Sequence, residues 1–253
     1  MTAFTPMPGA APLHRQVLAQ AAMESKLMLR NGEQLLLAVV IPVIVLIGGV
    51  TGAERVGIEL THDPIDVFTP GVLALAVMST AFTSLAIATG FERRYGVIKR
   101  LGSSPLPRSG LLAGKVGALL GIEAMQVVVI STVAFVLGWD PAPGVVGAVL
   151  ALVAGTAAFA SLGLFVAGVL RAEATLAAAN LVYLLLMAGG AVVLPSSAYG
   201  AFGDVVVWLP SGALGDAMRE ALIDGAIAWG DLGVLLGWAV IGTVLTVKTF
   251  KWE

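Results

Sequence analysis

Long uninterrupted apolar runs alternate with short polar segments along most of the chain. Six runs approach the roughly 20 residues that an α-helix needs to cross the hydrocarbon core of a bilayer. They cover residues 34–51, 68–91, 111–137, 145–170, 176–194 and 232–247. Because the apolar residues are continuous and do not alternate, a β-barrel is excluded. The pattern predicts an all-α, polytopic membrane protein with a polar tail over 1–33 and one six-span domain over 34–253.

Composition supports a membrane environment and removes several classes of function. Of the 253 residues, 58% are hydrophobic and 12% are charged, about half the charged share of a soluble domain. The 14 Lys and Arg against 16 Asp and Glu give no basic excess for nucleic-acid binding. With no cysteine, disulfides, thiolate metal sites and iron–sulfur clusters are excluded. We expect no cofactor and no metal in this chain.

The basic residues are distributed unevenly over the predicted loops. Apart from Arg55 and Arg219, every Lys and Arg falls before the first run, between the second and third, between the fourth and fifth, or after the sixth, except Lys115, which lies just inside the start of the third. Positively charged loops stay on the cytoplasmic side. The distribution therefore predicts a plasma or inner membrane protein with both termini in the cytoplasm.

The tail contains a predicted amphipathic helix. Placed at 100° per residue, its apolar and basic residues separate onto two sides. The apolar side has Leu13, Val17, Ala21 and Met28, and the basic side has Arg15, Lys26 and Arg30. Such a helix is expected to lie along the cytoplasmic interface, either as a lipid anchor or also as a contact for a cytoplasmic partner.

The basic segment between the second and third runs predicts a short cytoplasmic helix. Val97, Ile98 and Leu101 recur at helical spacing beside basic residues, and Gly102 and Pro105 end the pattern. The alternative is a loop whose positive charge only sets topology.

Residues 195–231 predict a helical hairpin on the opposite side. Pro210 and Ser211 form a helix start and Gly225 a helix end, while Trp208 and Trp229 flank the helix. The sequence leaves open whether this hairpin enters the bilayer.

Motifs for enzyme chemistry are lacking. The only histidines are His14 and His62, and no H-E-x-x-H occurs. The segment 109–116 resembles a phosphate-binding loop but has Ser109 where glycine is needed and Val116 where the magnesium-binding hydroxyl is needed. The sequence therefore predicts that the chain is not an enzyme.

Glu123 is the one acidic residue within the six runs, which otherwise contain a single charge, Lys115, near the start of the third. An ionised side chain near the bilayer centre costs roughly 2.5–3.5 kcal/mol, which often marks a functional residue. Gln126 lies one turn further on the same face. Glu123 is interpreted as a polar point on a substrate path, or as a protonated residue that joins helices. Thr80, Thr83 and Asn180 are candidates for the same path, although such groups often bond neighbouring helices.

The order of these parts resembles the permeases of type-2 ATP-binding-cassette exporters. The similarity lies in Phe91-Glu92-Arg93-Arg94-Tyr95-Gly96 through Leu101, then Ser104-Pro105-Leu106-Pro107-Arg108 and Gly114-Lys115, together with the layout of nearly the whole chain. One departure is Leu209-Pro210, where Asn-Pro is frequent in the family. Among the subgroups of this family, the general character of the sequence most resembles actinobacterial drug-exporter permeases of the daunorubicin type.

The resemblance implies a coupling helix that docks on a separate ATPase. The residues it assigns to ATPase coupling are Glu92, Arg93, Arg94, Gly96, Val97, Ile98, Lys99, Arg100 and Leu101. It implies two ATPase copies that bind ATP and Mg²⁺, and a second permease chain, identical or related. The cargo is expected to be an amphiphilic drug-like or lipid-like molecule that crosses the lipid bilayer.

Two other classes compete with this interpretation. A proton-coupled secondary transporter would use Glu123 as its proton carrier, but such proteins usually show internal repeats and several intramembrane charges. A membrane scaffold without transport would use the basic loop only for topology. ATPase co-purification and nucleotide-free uptake distinguish the three.

Overall fold

The computed structural model describes residues 11–56, 61–101 and 106–249, and all regular secondary structure in those ranges is helical. The α-helices are α1 (Leu13–Arg30), α2 (Gly32–Leu35), α3 (Ile41–Val56), α4 (Pro64–Val77), α5 (Leu85–Arg94), α6 (Val97–Leu101), α7 (Arg108–Val136), α8 (Val145–Val169), α9 (Ala172–Gly189), α10 (Gly203–Val206), α11 (Pro210–Ile223) and α12 (Trp229–Thr249). Two π-helical segments, Leu36–Val40 and Met78–Ser84, and a 3-10 segment, Ser196–Phe202, lie between them. The predicted all-α class is confirmed for these residues.

Five helical stretches are long and apolar enough to cross a membrane. They are Pro64–Arg94, Ser109–Val136, Val145–Val169, Ala172–Gly189 and Trp229–Thr249. Each contains most of one predicted run, with ends shifted by a few residues. The first run differs, because α2, a π-helical segment and α3 divide it, and its apolar helical part is the shorter Ala38–Ala53. A polytopic membrane fold is confirmed, and a sixth span stays a prediction.

The stretch Pro64–Arg94, formed by α4, a π-helical segment and α5, is the centre of the bundle. Nearly all its residues are buried, and α3, α8, α9 and α11 pack around it. The Phe82 ring meets Phe159 of α8 edge to face, with centroids 6.4 Å apart. A Cβ on Gly163 would lie 2.8 Å from the carbonyl oxygen of Phe82, so glycine permits this close approach. A helix buried on all sides needs no polar face, which explains the continuous apolar run.

The predicted N-terminal helix is present as α1 and packs along α7. A Cβ built on Gly114 would lie 2.6 Å from Cγ of Gln20, and one built on Gly117 would lie 3.3 Å from Cβ of Ala21. Further along both helices, Ser25 lies beside Gly121. The two helices therefore run side by side in the same direction. The position of α1 at a membrane interface stays a prediction.

The predicted hairpin helix is α11, which lies among α4, α8 and α12 and is buried along most of its length. Its end lies against Gly144, where a Cβ would overlap the Ala221 carbonyl. Its first half reaches Gly155, whose Cβ would lie 2.7 Å from Leu214. Because an α-helix rises 1.5 Å per residue, the contacts at Gly144 and Gly155 span about 15 Å along α8. The hairpin is thus inserted between membrane-crossing helices.

Arg219 fixes α11 to the segment that follows α9. Its guanidinium donates to the carbonyls of Ala191, Val192, Val193 and Leu194 at 2.9–3.2 Å, and to Asp216 at 2.9 Å. Burial lowers the pKa of Arg219, whereas the Asp216 carboxylate opposes that shift. The carbonyl oxygens replace the water that the buried guanidinium has lost.

Candidate functional site

The predicted short helix between the second and third spans is confirmed as α6, Val97–Leu101. Gly96 has φ +65°, a conformation that favours glycine, and its N–H donates to the Arg93 carbonyl at 3.1 Å. The chain therefore turns sharply between α5 and α6. Lys99 and Arg100 are exposed, so this end of the bundle presents positive charge. Residues 102–105, which include the predicted end of this helix, lie outside the described residues.

Glu92, at the end of α5, belongs to a buried group of charges. Lys115 of α7 donates to Glu92 Oε1 at 2.7 Å and to Glu24 Oε2 of α1 at 3.0 Å. Only 10% of the Lys115 side chain is exposed. Lys115, near the start of the third span, is thus a largely buried bridge among three helices.

The next two residues reach other helices. Arg93 donates to the carbonyls of Ala167 and Leu170 at the end of α8. A cation there satisfies carbonyls that the helix leaves without intrahelical partners. Arg94 pairs with Glu173 in the first turn of α9, where both side chains are largely exposed. Glu92, Arg93 and Arg94 therefore tie the end of α5 to α7, α8 and α9 in turn.

The structure divides the nine residues predicted for ATPase coupling into two groups. Glu92, Arg93 and Arg94 make contacts within the chain, whereas Lys99 and Arg100 are exposed on α6. Gly96 forms the turn that joins the groups, with Val97 half-buried after it. Ile98 and Leu101 belong to α6, but their side chains are outside the described part. An ATPase contact stays a prediction for all nine.

Two of the predicted path residues, Thr80 and Gln126, are brought together inside the bundle. Thr80 donates to Gln126 Oε1 at 3.0 Å, and Gln126 Nε2 donates to the Ala38 carbonyl at 2.6 Å. Ala38 and Thr80 lie in the two π-helical segments. A π-helix shifts the usual hydrogen-bond pattern and often marks a functional position. Gln126 therefore joins the two irregular segments through one buried amide.

Glu123 turns away from Gln126 and contacts α8. Thr156 Oγ1 donates to Glu123 Oε2 at 2.7 Å, and the same oxygen lies 2.8 Å from the Leu152 carbonyl. A hydroxyl has one hydrogen, so both contacts form together only if the carboxyl carries a proton. Glu123 is buried, and its Oε1 has no hydrogen-bond partner. Glu123 therefore bonds to α8, whereas Gln126, one turn further along α7, bonds to Thr80 and Ala38.

Thr83 and Asn180 take no part in the hydrogen bonds of Gln126 and Glu123. Thr83 is fully buried in the second π-helical segment and Asn180 is half-buried in α9, and neither Thr83 Oγ1 nor Asn180 Oδ1 has a hydrogen-bond partner. Of the five path candidates, only Thr80 and Gln126 are joined by a hydrogen bond in the described part of the chain. Their role in a substrate path stays a prediction.

A cavity of about 800 Å³ lies at the opposite end of the bundle from α6. Its walls include His62, Pro195, Asp216, Glu220 and Asp224, and none of the predicted path residues. The cavity therefore opens beside the α11 hairpin and carries mainly acidic groups.

Sequence reasoning missed the partners of Lys115 and Glu123. Glu24 was absent from the basic and apolar sides of the predicted α1, and Thr156 is one hydroxyl within a long apolar run. An acidic residue on an otherwise basic helix was the available signal for Glu24. For Thr156 the chain offered no comparable signal.

Comparison with known proteins places this arrangement in a family. A sequence model described as ABC-2 type transporter matches residues 15–222, which include α1 to α11. A search of curated proteins gave no match.

Proposed function

The chain belongs to the ABC-2 type transporter family, and we propose that it is the permease subunit of an exporter whose ATPase is a separate protein. The family makes it the transmembrane component of an ABC-type transporter. In our proposal, two ATPase copies bind ATP and Mg²⁺, and two permease chains, identical or related, each form half of the pathway. The membrane is the plasma or inner membrane, with both termini in the cytoplasm.

The observation that carries the proposal is α6. It is a short helix with exposed cations, placed between two membrane-crossing helices. Glu92 and Arg93, directly before it, contact α7 and α8. A force applied to α6 by a docked protein thus reaches the bundle through charged contacts. The chain lacks a phosphate-binding loop of its own, so ATP hydrolysis belongs to the partner.

The proposed cargo is an amphiphilic drug-like or lipid-like molecule. The membrane-crossing helices are apolar, and two of their few polar groups, Gln126 and Thr80, are hydrogen-bonded to each other. A path along such surfaces favours a cargo with a large apolar part. Similarity to daunorubicin-type permeases makes daunorubicin, which is fluorescent, the first transport probe.

Co-purification tests the ATPase contact. We expect an ATPase to co-purify with the unaltered chain, and its recovery to fall at least about tenfold with Val97→Asp or with combined Lys99→Glu and Arg100→Glu. Arg171→Glu is the matched control, because Arg171 is an exposed cation in the connection between α8 and α9. Equal recovery from all variants would contradict docking at α6.

A second candidate, the proton-coupled secondary transporter, rests on the buried carboxyl of Glu123. Its Oε1 has no partner, as a proton carrier requires at some stage. Inverted vesicles separate the two functions. Daunorubicin uptake that needs Mg-ATP supports the exporter, whereas uptake driven by a proton gradient without nucleotide, and lost in Glu123→Gln, supports the secondary transporter.

A further inference from the structure

Lys115 occupies an unusual position in the chain. Its ammonium contacts both Glu24 of α1 and Glu92 of α5, at 3.0 and 2.7 Å. The side chains of Lys115, Glu24 and Glu92 are 10%, 12% and 20% exposed. The Lys115 ammonium therefore contacts two carboxylates that are themselves largely buried. A buried charge that loses its partner is strongly unfavourable, so these contacts resist separation.

Two of the three helices that meet at Lys115, α5 and α7, flank α6 in the chain. Glu92 comes five residues before Val97, and Lys115 lies in the first turns of α7, the helix that follows α6. The helices before and after α6, α5 and α7, are thus joined by the ion pair of Glu92 with Lys115. The third helix, α1, is the element that the sequence suggests as a second cytoplasmic contact.

The rest of the interface between α1 and α7 allows close contact. Gly114 and Gly117 face Gln20 and Ala21, and a side chain at either glycine would push α1 away. Gln20 also donates to Glu24 Oε1 at 2.8 Å, which orients the carboxylate toward Lys115. The backbone contact and the ion pair therefore act on the same face of α1.

We propose that Lys115 is a positioning residue that fastens α1 and the end of α5 to the third span, so that α1 and α6 shift as one body when the ATPase acts. The part that concerns the ATPase rests on the proposed function. The fastening itself is independent of any partner.

The lack of cysteine allows a direct test of the fastening. Ser25 Oγ lies 3.9 Å from a Cβ built on Gly121, so Ser25→Cys and Gly121→Cys place two cysteines close together on facing sides of α1 and α7. In membranes, mild oxidation should join this pair rapidly. Lys115→Met should slow the disulfide about tenfold, because α1 loses its ionic contact. Arg94→Gln, which breaks the exposed pair with Glu173, is the matched control and should leave the rate unchanged.

Glu24→Gln is the second variant, for use if Lys115→Met fails to insert. It keeps Lys115 paired with Glu92 and weakens only the contact to α1, so it should also slow the disulfide. An unchanged rate in both variants would overturn the fastening. These measurements need neither ATPase nor cargo, so they hold even if no ATPase binds the chain.

The shared movement is tested in the complex with its ATPase. Oxidised Ser25→Cys and Gly121→Cys complex should hydrolyse ATP within about twofold of the reduced complex, since α1 and α7 have no need to separate. Disulfide yield should also be the same without nucleotide and with Mg-ATP and vanadate. A stop in hydrolysis on oxidation, reversed by reduction, would overturn the proposal that these helices move together.

Discussion

Replacing Arg219 tests how much the α11 hairpin depends on one buried cation. The guanidinium bonds four successive carbonyls and Asp216, and only 7% of its side chain is exposed. Hydrogen bonds to a charged group contribute about 1.5–3 kcal/mol each but are not additive. Removing one partner of a buried pair costs about 3–5 kcal/mol. We therefore expect Arg219→Met to lower the free energy of unfolding by about 4 kcal/mol.

Tryptophan fluorescence during heating, in nanodiscs, measures this effect. For a chain of this size the melting temperature should fall by about 10 °C. Arg219→Lys should fall nearly as far, because an ammonium has three donors and lacks the planar geometry that reaches all the carbonyls. Arg55→Met, at an exposed arginine on the same side of the predicted topology, should change the melting temperature little. A melting temperature for Arg219→Met within about 2 °C of the unaltered chain would refute the reasoning.

Three further substitutions give expected outcomes. Glu123→Gln should keep transport and stability, because the amide oxygen still accepts the hydrogen bond from Thr156, whereas Glu123→Ala should lose about 1–3 kcal/mol of stability; equal melting of the two would contradict this. Gln126→Leu should leave the Ala38 carbonyl without its amide donor and slow ATP-driven daunorubicin uptake, measured in inverted vesicles with Val128→Leu, an exposed site on α7, as control. Gly144→Val should prevent α11 from packing against α8, since a Cβ there overlaps the Ala221 carbonyl. The hairpin should then become sensitive to protease added on the side of the membrane where the hairpin lies.

Local patterns in the sequence predicted much of the fold. Continuous apolar runs identified the membrane-crossing helices, because lipid imposes the same requirement on every span. Pro210 and Gly225 located the hairpin helix, since both act through their own backbone conformations. The first run was less well predicted, because its division into α2, a π-helical segment and α3 depends on contacts with Gln126 far along the chain.

The candidate site was only partly predictable for the same reason. Val97 and Lys99 could be placed on a short helix from their own neighbours. The partners of Lys115, by contrast, are 91 and 23 residues away in the chain. A periodic pattern describes one helix at a time and does not show which helix lies beside it. Glu123 was identified as unusual from its charge alone, while its contact with Thr156 required the packing of α7 and α8.

The buried position of α11 sets an order for biogenesis. Its neighbours α4 and α8 are synthesised earlier, while α12 follows it. When α11 leaves the ribosome, its neighbours α4 and α8 are already in the membrane, and the last span, α12, packs against it afterwards. The Arg219 guanidinium meets its carbonyls at the same moment, since residues 191–194 also precede it. A nascent chain stopped before α12 would therefore hold this helix in an open cleft, available to quality-control proteases until the final span arrives.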